Sequence, residues 1–402
     1  MLLRAFYTTC RRLAKKEISR AKRLGRASND LSLGVVGLAN VGKSTFFQAI
    51  TRSTLGNPAN YPFATIDAEK SIVAVESAKL NHYQRLFQSR KRVPTSLTVY
   101  DIAGLTRNAS SGQGLGNKFL SDIRMVDGIF HMVRGFRDDN ITHIEHSVDP
   151  VRDITIVTDE LILKDLDYIE TAKESARKKA KKAHVDKAAV LFELDVYEKL
   201  SDELYCGRKA ASVQWLDAKI DVVNQLNLLT AKPTVYLLNV SVADYARGDN
   251  EFLASVRDWI TDNCPDDRLM LFSAEYETKL NELTCQELQD FRAMHDNKES
   301  ALPVIVDAIR DVLHLISFYT CGPKEAHQWT VQHGSFAPEA AGAIHTDFKK
   351  GFISAQVYKW DDMKNETSPL DEASLKSRGK QLRVGKLYVV EDGDVMVIKS
   401  SR

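Results

Sequence analysis

"LSLGVVGLANVGKSTFFQAIT", residues 31–51, decides the fold. It reads as a buried strand with small residues, then a glycine-rich turn, then a helix. Gly37, Gly42, Lys43 and Ser44 stand at the spacing G-x-x-x-x-G-K-[ST]. Glycines at those positions let backbone N–H groups curl around phosphate oxygens. Lys43 can reach the β and γ phosphates, Ser44 can ligate Mg2+, and the helix N-terminus adds positive potential. The expected phosphate-binding set is therefore Asn40, Val41, Gly42, Lys43, Ser44 and Thr45.

Two downstream stretches complete the phosphate chemistry. In "TVYDIAGL", Asp101 ends an apolar strand, where its carboxylate can hold Mg2+ through water, and Gly104 can offer its N–H to the γ phosphate. In "YPFATID", Thr65 is the hydroxyl expected to close over the metal and the γ phosphate. Together with the glycine-rich turn these form the sensing apparatus of a nucleotide switch. Where many such enzymes place a water-orienting Gln after Gly104, this chain has Leu105, which can neither donate nor accept a hydrogen bond. Asn108, Gln113 and His143 are the nearby candidates for that task. His143 is preferred because an imidazole can orient water; a hydrogen-bonded structural His is the competing reading. The expected catalytic set is Lys43, Gly104, Leu105 and His143. Asn40 is a further candidate for a K+ ion beside the phosphates, or it simply caps the loop.

The base-reading strand is "YLLNVSVADY", residues 236–245. In GTPases such a strand ends Asn-Lys-x-Asp, and the Asp accepts from guanine N1 and N2. Here Asn239 is followed by Val240, Ser241 and Val242. Val242 has no acceptor, so the main guanine-selecting contact is missing. The Asn239 amide can still meet the N6/N7 edge of adenine. Loss of a buried polar contact costs enough to remove discrimination. The residues therefore exclude strict guanine selection and admit ATP.

Further apolar runs, "SLTVYDIAG", "GIFHMVRGF", "TVYLLNV" and "LMLFSA", alternate with helical stretches, which indicates a parallel α/β sheet. Residues 151–230 break the rhythm. The stretches "TDELILKDLDYIETAKESARKKAKKAH" and "AAVLFELDVYEKLSDELY" have no Gly or Pro and space apolar residues by three and four, as in a helical hairpin or short coiled coil. The Lys-rich run from Arg177 to Lys187 lies near its turn, as a solvated face or a nucleic-acid contact. From about residue 316 the chain alternates apolar and polar residues, as in antiparallel strands of a small module.

Lys and Arg number 55, Asp and Glu 54, yet the charge is unevenly spread. Residues 1–28 hold nine basic residues and one acid, Glu17, and the remainder is net −7. Leu2, Leu3, Phe6, Cys10 and Leu13 share one helical face, with Arg4, Arg11 and Lys15 opposite. Such an Arg-rich amphipathic leader is what a mitochondrial transit peptide needs; a basic tail that touches RNA or is merely solvated is the alternative. Five scattered cysteines without a CxxC argue against a disulfide framework or zinc site. No apolar run reaches about 18 residues, so no membrane partner is expected.

The stretches GLANVGKSTFF, NYPFATID, DIAGLTRNASSGQGLGNKFL and DDNITHIEHSVDPVRDI resemble those of the YchF family, the Obg-like ATPases. The resemblance continues to the C-terminus through "CGPKEAHQWTVQHGSFAPEAAGAIHTDFKKGFISAQV" and "YVVEDGDVM". It implies an α/β fold: a Ras-like P-loop NTPase domain, an inserted helical coiled-coil domain, and a C-terminal ubiquitin-like β-grasp TGS domain. The expected division is 1–28 leader, 29–150 with 231–315 P-loop NTPase domain, 151–230 helical insertion and 316–402 TGS domain. It also implies ATP preferred over GTP, slow hydrolysis, and association with ribosomes or translation factors, so the ribosome or ribosomal RNA is the expected partner. The hydrophobic Leu105 matches the family pattern. Asn239 matches its Asn-x-x-Glu motif, and Val242 departs from it. The backbone around Ser273 and Ala274 resembles the family's later base-binding loop. With its leader the chain looks like a fungal mitochondrial member, in the matrix, with a cytoplasmic location as the alternative. A monomer is expected, with a nucleotide-dependent dimer left open. Two other functions stay open: a GTPase or dual-specificity NTPase in mitochondrial ribosome assembly, and an RNA- or ribosome-binding adaptor with a regulatory nucleotide site.

Overall fold

The computed structural model describes residues 24–25, 31–52, 70–75, 77–102, 122–182, 184 and 186–401. Among them twelve strands form two sheets. They are β1 (Leu31–Val36), β2 (Lys70–Ala74), β3 (Lys91–Val93), β4 (Ser96–Asp101), β5 (Gly128–Arg134), β6 (Thr234–Asn239), β7 (Arg268–Phe272), β8 (Leu315–Cys321), β9 (Glu325–Gln332), β10 (Phe352–Tyr358), β11 (Leu382–Val384) and β12 (Val395–Ser400).

The first sheet has the order β2-β4-β1-β5-β6-β7. All neighbours are parallel except β2 with β4. Every residue of β5 and β6 is buried, as expected of central strands covered by helices on both faces. Helix α1 (Lys43–Arg52) follows β1 directly. Its Phe46 sets ring edges against Phe130 of β5 (5.6 Å) and Phe272 of β7 (5.1 Å), which seats the helix under the strand ends.

Helix α2 (Ala78–Leu86) and the short β3 go elsewhere. β3 pairs in parallel with β9, and Leu80, Tyr83 and Leu86 are buried with Tyr319, Tyr358 and Val395 of the second sheet. The division by sequence puts 29–150 in the nucleotide domain; in the structure β3 extends the second sheet and α2 packs against that sheet. The reason is apolar burial: α2 aligns Leu80, Tyr83 and Leu86 on one face, and the second sheet supplies the surface to cover it.

Helix α3 (Pro150–Ala180) runs 31 residues, with Asp149 capping Arg152 N–H and Pro150 in the first turn. α4 (Lys187–Tyr205), capped by Asp186, returns beside it. The first half of α3 buries Ile154, Val157 and Leu161 in the main core. The second half packs Ile162, Leu166 and Ile169 with Val196, Leu200 and Leu204 of α4 in a core of its own. Then come α5 (Asp217–Leu226), α6 (Val242–Arg247), α7 (Leu253–Asn263), α8 (Ala274–Glu282), α9 (Cys285–Met294) and α10 (Leu302–Val312).

The second sheet has the order β11-β10-β12-β8-β9-β3. Helix α11 (Ala337–Ile344) lays Ala337, Ala340 and Ala341 against it. Within the described residues no helix is long and apolar enough to cross a membrane.

Candidate nucleotide site

A cavity of about 740 Å³ opens where β1, β5, β6 and β7 end. That volume suits a nucleotide-sized ligand, and the C-terminal edge of a parallel sheet is where such ligands bind. One side is the loop and first turn of α1: Asn40, Gly42, Lys43, Ser44 and Thr45. Phe136, Arg137, Asp138 and Ile141, from the loop after β5, form a second wall. The end of β6 contributes Asn239, Val240 and Ser241, and α8 contributes Ala274, Glu275, Thr278, Lys279 and Glu282.

Two glycines make the phosphate loop possible. Gly37 has φ +151° and Gly42 φ +102°. A Cβ on Gly37 would stand 2.3 Å from the Met132 carbonyl oxygen, and one on Gly42 would stand 2.4 Å from Asn239 Nδ2. Both positions exclude a side chain, so the chemistry of the motif and its packing coincide.

Asn239 is the knot of the site. It is buried; its Nδ2 donates to Val41 O (2.9 Å) and its Oδ1 accepts from Ala274 N (2.9 Å). Its backbone carbonyl also accepts from Gly135 N (2.8 Å). This modifies two expectations. The amide's first use is to tie the phosphate loop to α8, leaving one N–H and one lone pair for a purine. The Ala274 N–H is likewise committed to Asn239. Val41 is buried, with its carbonyl held by Asn239. Ser273 is buried as well, and its hydroxyl caps α8 by accepting from Tyr276 N. Neither Val41 nor Ser273 lines the cavity. Val240 does, and its N–H donates to Phe272 O. Val242 packs against the main core.

Lys43 is buried and its Nζ donates to Leu38 O at 2.6 Å. Burial pushes its pKa down to about 8, partly opposed by the negative charge of Asp101. Ser44 and Thr45 are exposed at the start of α1, and Asp101 ends β4, half-buried. Asn40 has φ +61° and donates through Nδ2 to Thr142 O (3.0 Å).

His143 lies ten residues before Asp153, and its Nε2 meets Asp153 Oδ2 at 2.8 Å. Its Nδ1 accepts from Glu145 N at 3.0 Å. Both ring nitrogens are thus engaged by protein groups. The expected water-orienting task would require His143 to release one of them; in this arrangement it is a structural residue joining the loop to α3. Burial raises the Asp153 pKa, opposed by Arg152 and His143. Thr65, Gly104 and Leu105, with Asn108 and Gln113, lie outside the described residues.

The wall at 136–141 and the α8 residues Glu275 and Lys279 are the parts that sequence reasoning missed. One signal was available. Arg134 ends a mostly apolar strand run, a charge where the pattern asks for a core residue.

Comparison with known proteins agrees with this fold. A family model described as a 50S ribosome-binding GTPase matches residues 32–159. A second, for the YchF-GTPase C-terminal region and described as a protein of unknown function, matches 315–401. An Obg-like ATPase homolog of Saccharomyces cerevisiae is 48% identical, over 94% of this chain and 96% of its own. Obg-like ATPase 1 of the same yeast is 44% identical, over 96% and 98%. The solved structure of the Schizosaccharomyces pombe YchF GTPase superposes with a TM-score of 0.84 at 41% identity, covering 94% of this chain and all of that one.

Proposed function

This chain belongs to the Obg-like ATPase, or YchF, family, and we propose from that premise that it is an Mg2+-dependent, ATP-hydrolysing molecular switch. The coarse part of this reading, a P-loop nucleotide hydrolase, goes with the family. The finer part, ATP as the working nucleotide, rests on one observation. Position 242 carries a valine packed on the core, and the base end of the cavity is organised by the Asn239 amide.

Lys43 would leave Leu38 O and take up the β and γ phosphates. Backbone N–H groups around Gly42 hold the same oxygens. Attack by water in line with the leaving oxygen places extra charge on the transferring phosphoryl, and a protonated Lys43 stabilises it. Ser44 and Asp101 are hard oxygen donors, one opening α1 and one ending β4, and so fit Mg2+. Thr65 is the further ligand proposed. When bound there, the metal would neutralise phosphate charge. The amide oxygen of Asn40 is the atom available to a K+ ion.

The switch is proposed to act on a ribosome-linked partner, in keeping with the ribosome-binding description of the matching family model. The basic leader supports delivery to mitochondria, testable by import of a leader-fused reporter. Phosphate release should require Mg2+, run faster with ATP than GTP at equal concentration, and vanish in Lys43→Ala. Turnover of GTP alone would move the assignment to a GTPase.

A further inference from the structure

We propose that Arg134 is the positioning residue that shapes one wall of the nucleotide cavity, acting through the loop after β5 rather than by touching the nucleotide. The inference rests on reading that cavity as the ATP site. Arg134 is 2% exposed, at the end of a strand whose seven residues are all buried. A guanidinium is almost never so deeply placed unless its donors are met. Here each of its three nitrogens is met by a backbone carbonyl. Nε donates to Phe136 O (3.2 Å), Nη1 to Ile141 O (3.0 Å) and Nη2 to Asp138 O (3.2 Å). The Phe136 ring lies 4.5 Å from the guanidinium carbon.

Three carbonyls from a six-residue segment thus converge on one planar cation, which draws the loop into a closed turn around it. The residues whose carbonyls are gathered, Phe136, Asp138 and Ile141, are among those that line the cavity. The carboxylates of Asp138 in the loop and Asp153 of α3 act on the guanidinium, partly opposing the effect of its burial. Just beyond, the Thr142 carbonyl accepts from Asn40, so the loop held by Arg134 is also in register with the phosphate loop. Lysine could not reproduce this, because its three donors radiate from one point rather than a rigid fork.

A residue that only stabilised the fold would lower the melting temperature and leave affinity alone. The test therefore compares Arg134→Lys and Arg134→Met with Lys209→Met in the full chain. Lys209 forms a buried pair with Asp267 (2.8 Å), at the opposite end of the same sheet. Mg-ATP affinity is read by calorimetry, KM and kcat by phosphate release, and stability by thermal melting. Both Arg134 variants should weaken ATP about tenfold or more, equivalent to about 1.4 kcal/mol, with KM rising in step. Their kcat at saturation should fall by less than about threefold, as for lost uniform binding. Lys209→Met should melt earlier and bind ATP normally.

Arg134 variants that bind ATP like the wild type would overturn the proposal. So would an affinity loss that merely tracks melting temperature across all three variants. If neither Arg134 variant folds, Arg134 is a folding residue and the positioning role falls. Failure of the wild-type chain to bind ATP would instead defeat the ATP reading itself.

Discussion

At the scale of single residues, the site is held by side chains that also hold the fold. Asn239 joins the phosphate loop to α8 through one amide. Asn239→Ala would leave the Val41 carbonyl and the Ala274 N–H without that partner, each worth roughly 1–3 kcal/mol when buried. Chemical denaturation should show a loss of about 2 kcal/mol or more, and ATP binding should fail. An unchanged midpoint would contradict the role given to Asn239. Lys43 works in the other direction. Its folded-state pKa of about 8 lies below the ordinary lysine value of 10.5. Between those values the unfolded chain binds more protons, so nucleotide-free stability rises with pH across that window. The burial cost is present in full below pH 8. Lys43→Met should therefore raise the melting temperature of the nucleotide-free protein at pH 7 while abolishing ATP binding. A variant that melts earlier at pH 7 would show that the buried ammonium is well solvated. ATP binding at pH 9 should take up protons, visible as a buffer-dependent heat.

At the scale of elements, α3 belongs to two bodies. Its first half is part of the nucleotide core and its second half part of the helical insertion. Asp165, wholly buried, fixes the junction by accepting from Leu229 N, Thr230 N and Thr230 Oγ1. Asp165→Ala strands those donors, and the stability loss measured by denaturant should be about 3 kcal/mol. A loss near zero would mean the insertion is held by its apolar seam alone. The phosphate loop and the helical hairpin were legible in the sequence because each is local: a fixed glycine spacing, and apolar residues every three or four positions. The wall after β5 was not legible, because its shape comes from one guanidinium collecting three carbonyls. β3 was hidden for a similar reason. Three residues, Lys91–Val93, carry no alternation long enough to announce a strand, and only pairing with β9 defines it. The partnership of His143 with Asp153 is likewise tertiary. In the sequence, Asp153 looks like an ordinary first-turn helix acid.

At the scale of the molecule, the two sheets share a segment of chain. Leu80, Tyr83 and Leu86 of α2 are covered by the second sheet, at 0–2% exposure. Each buried side chain of this size contributes about 1.5–3 kcal/mol. A chain ending at residue 314 should expose them, bind an apolar dye and aggregate. Cooperative melting like that of the full chain would show instead that α2 finds other cover. The most direct test of the whole account is a calorimetric competition of Mg-ATP against Mg-GTP on the purified chain. One site per chain should fill with ATP, with GTP bound no more tightly. A site that takes only GTP, or neither nucleotide, would contradict it.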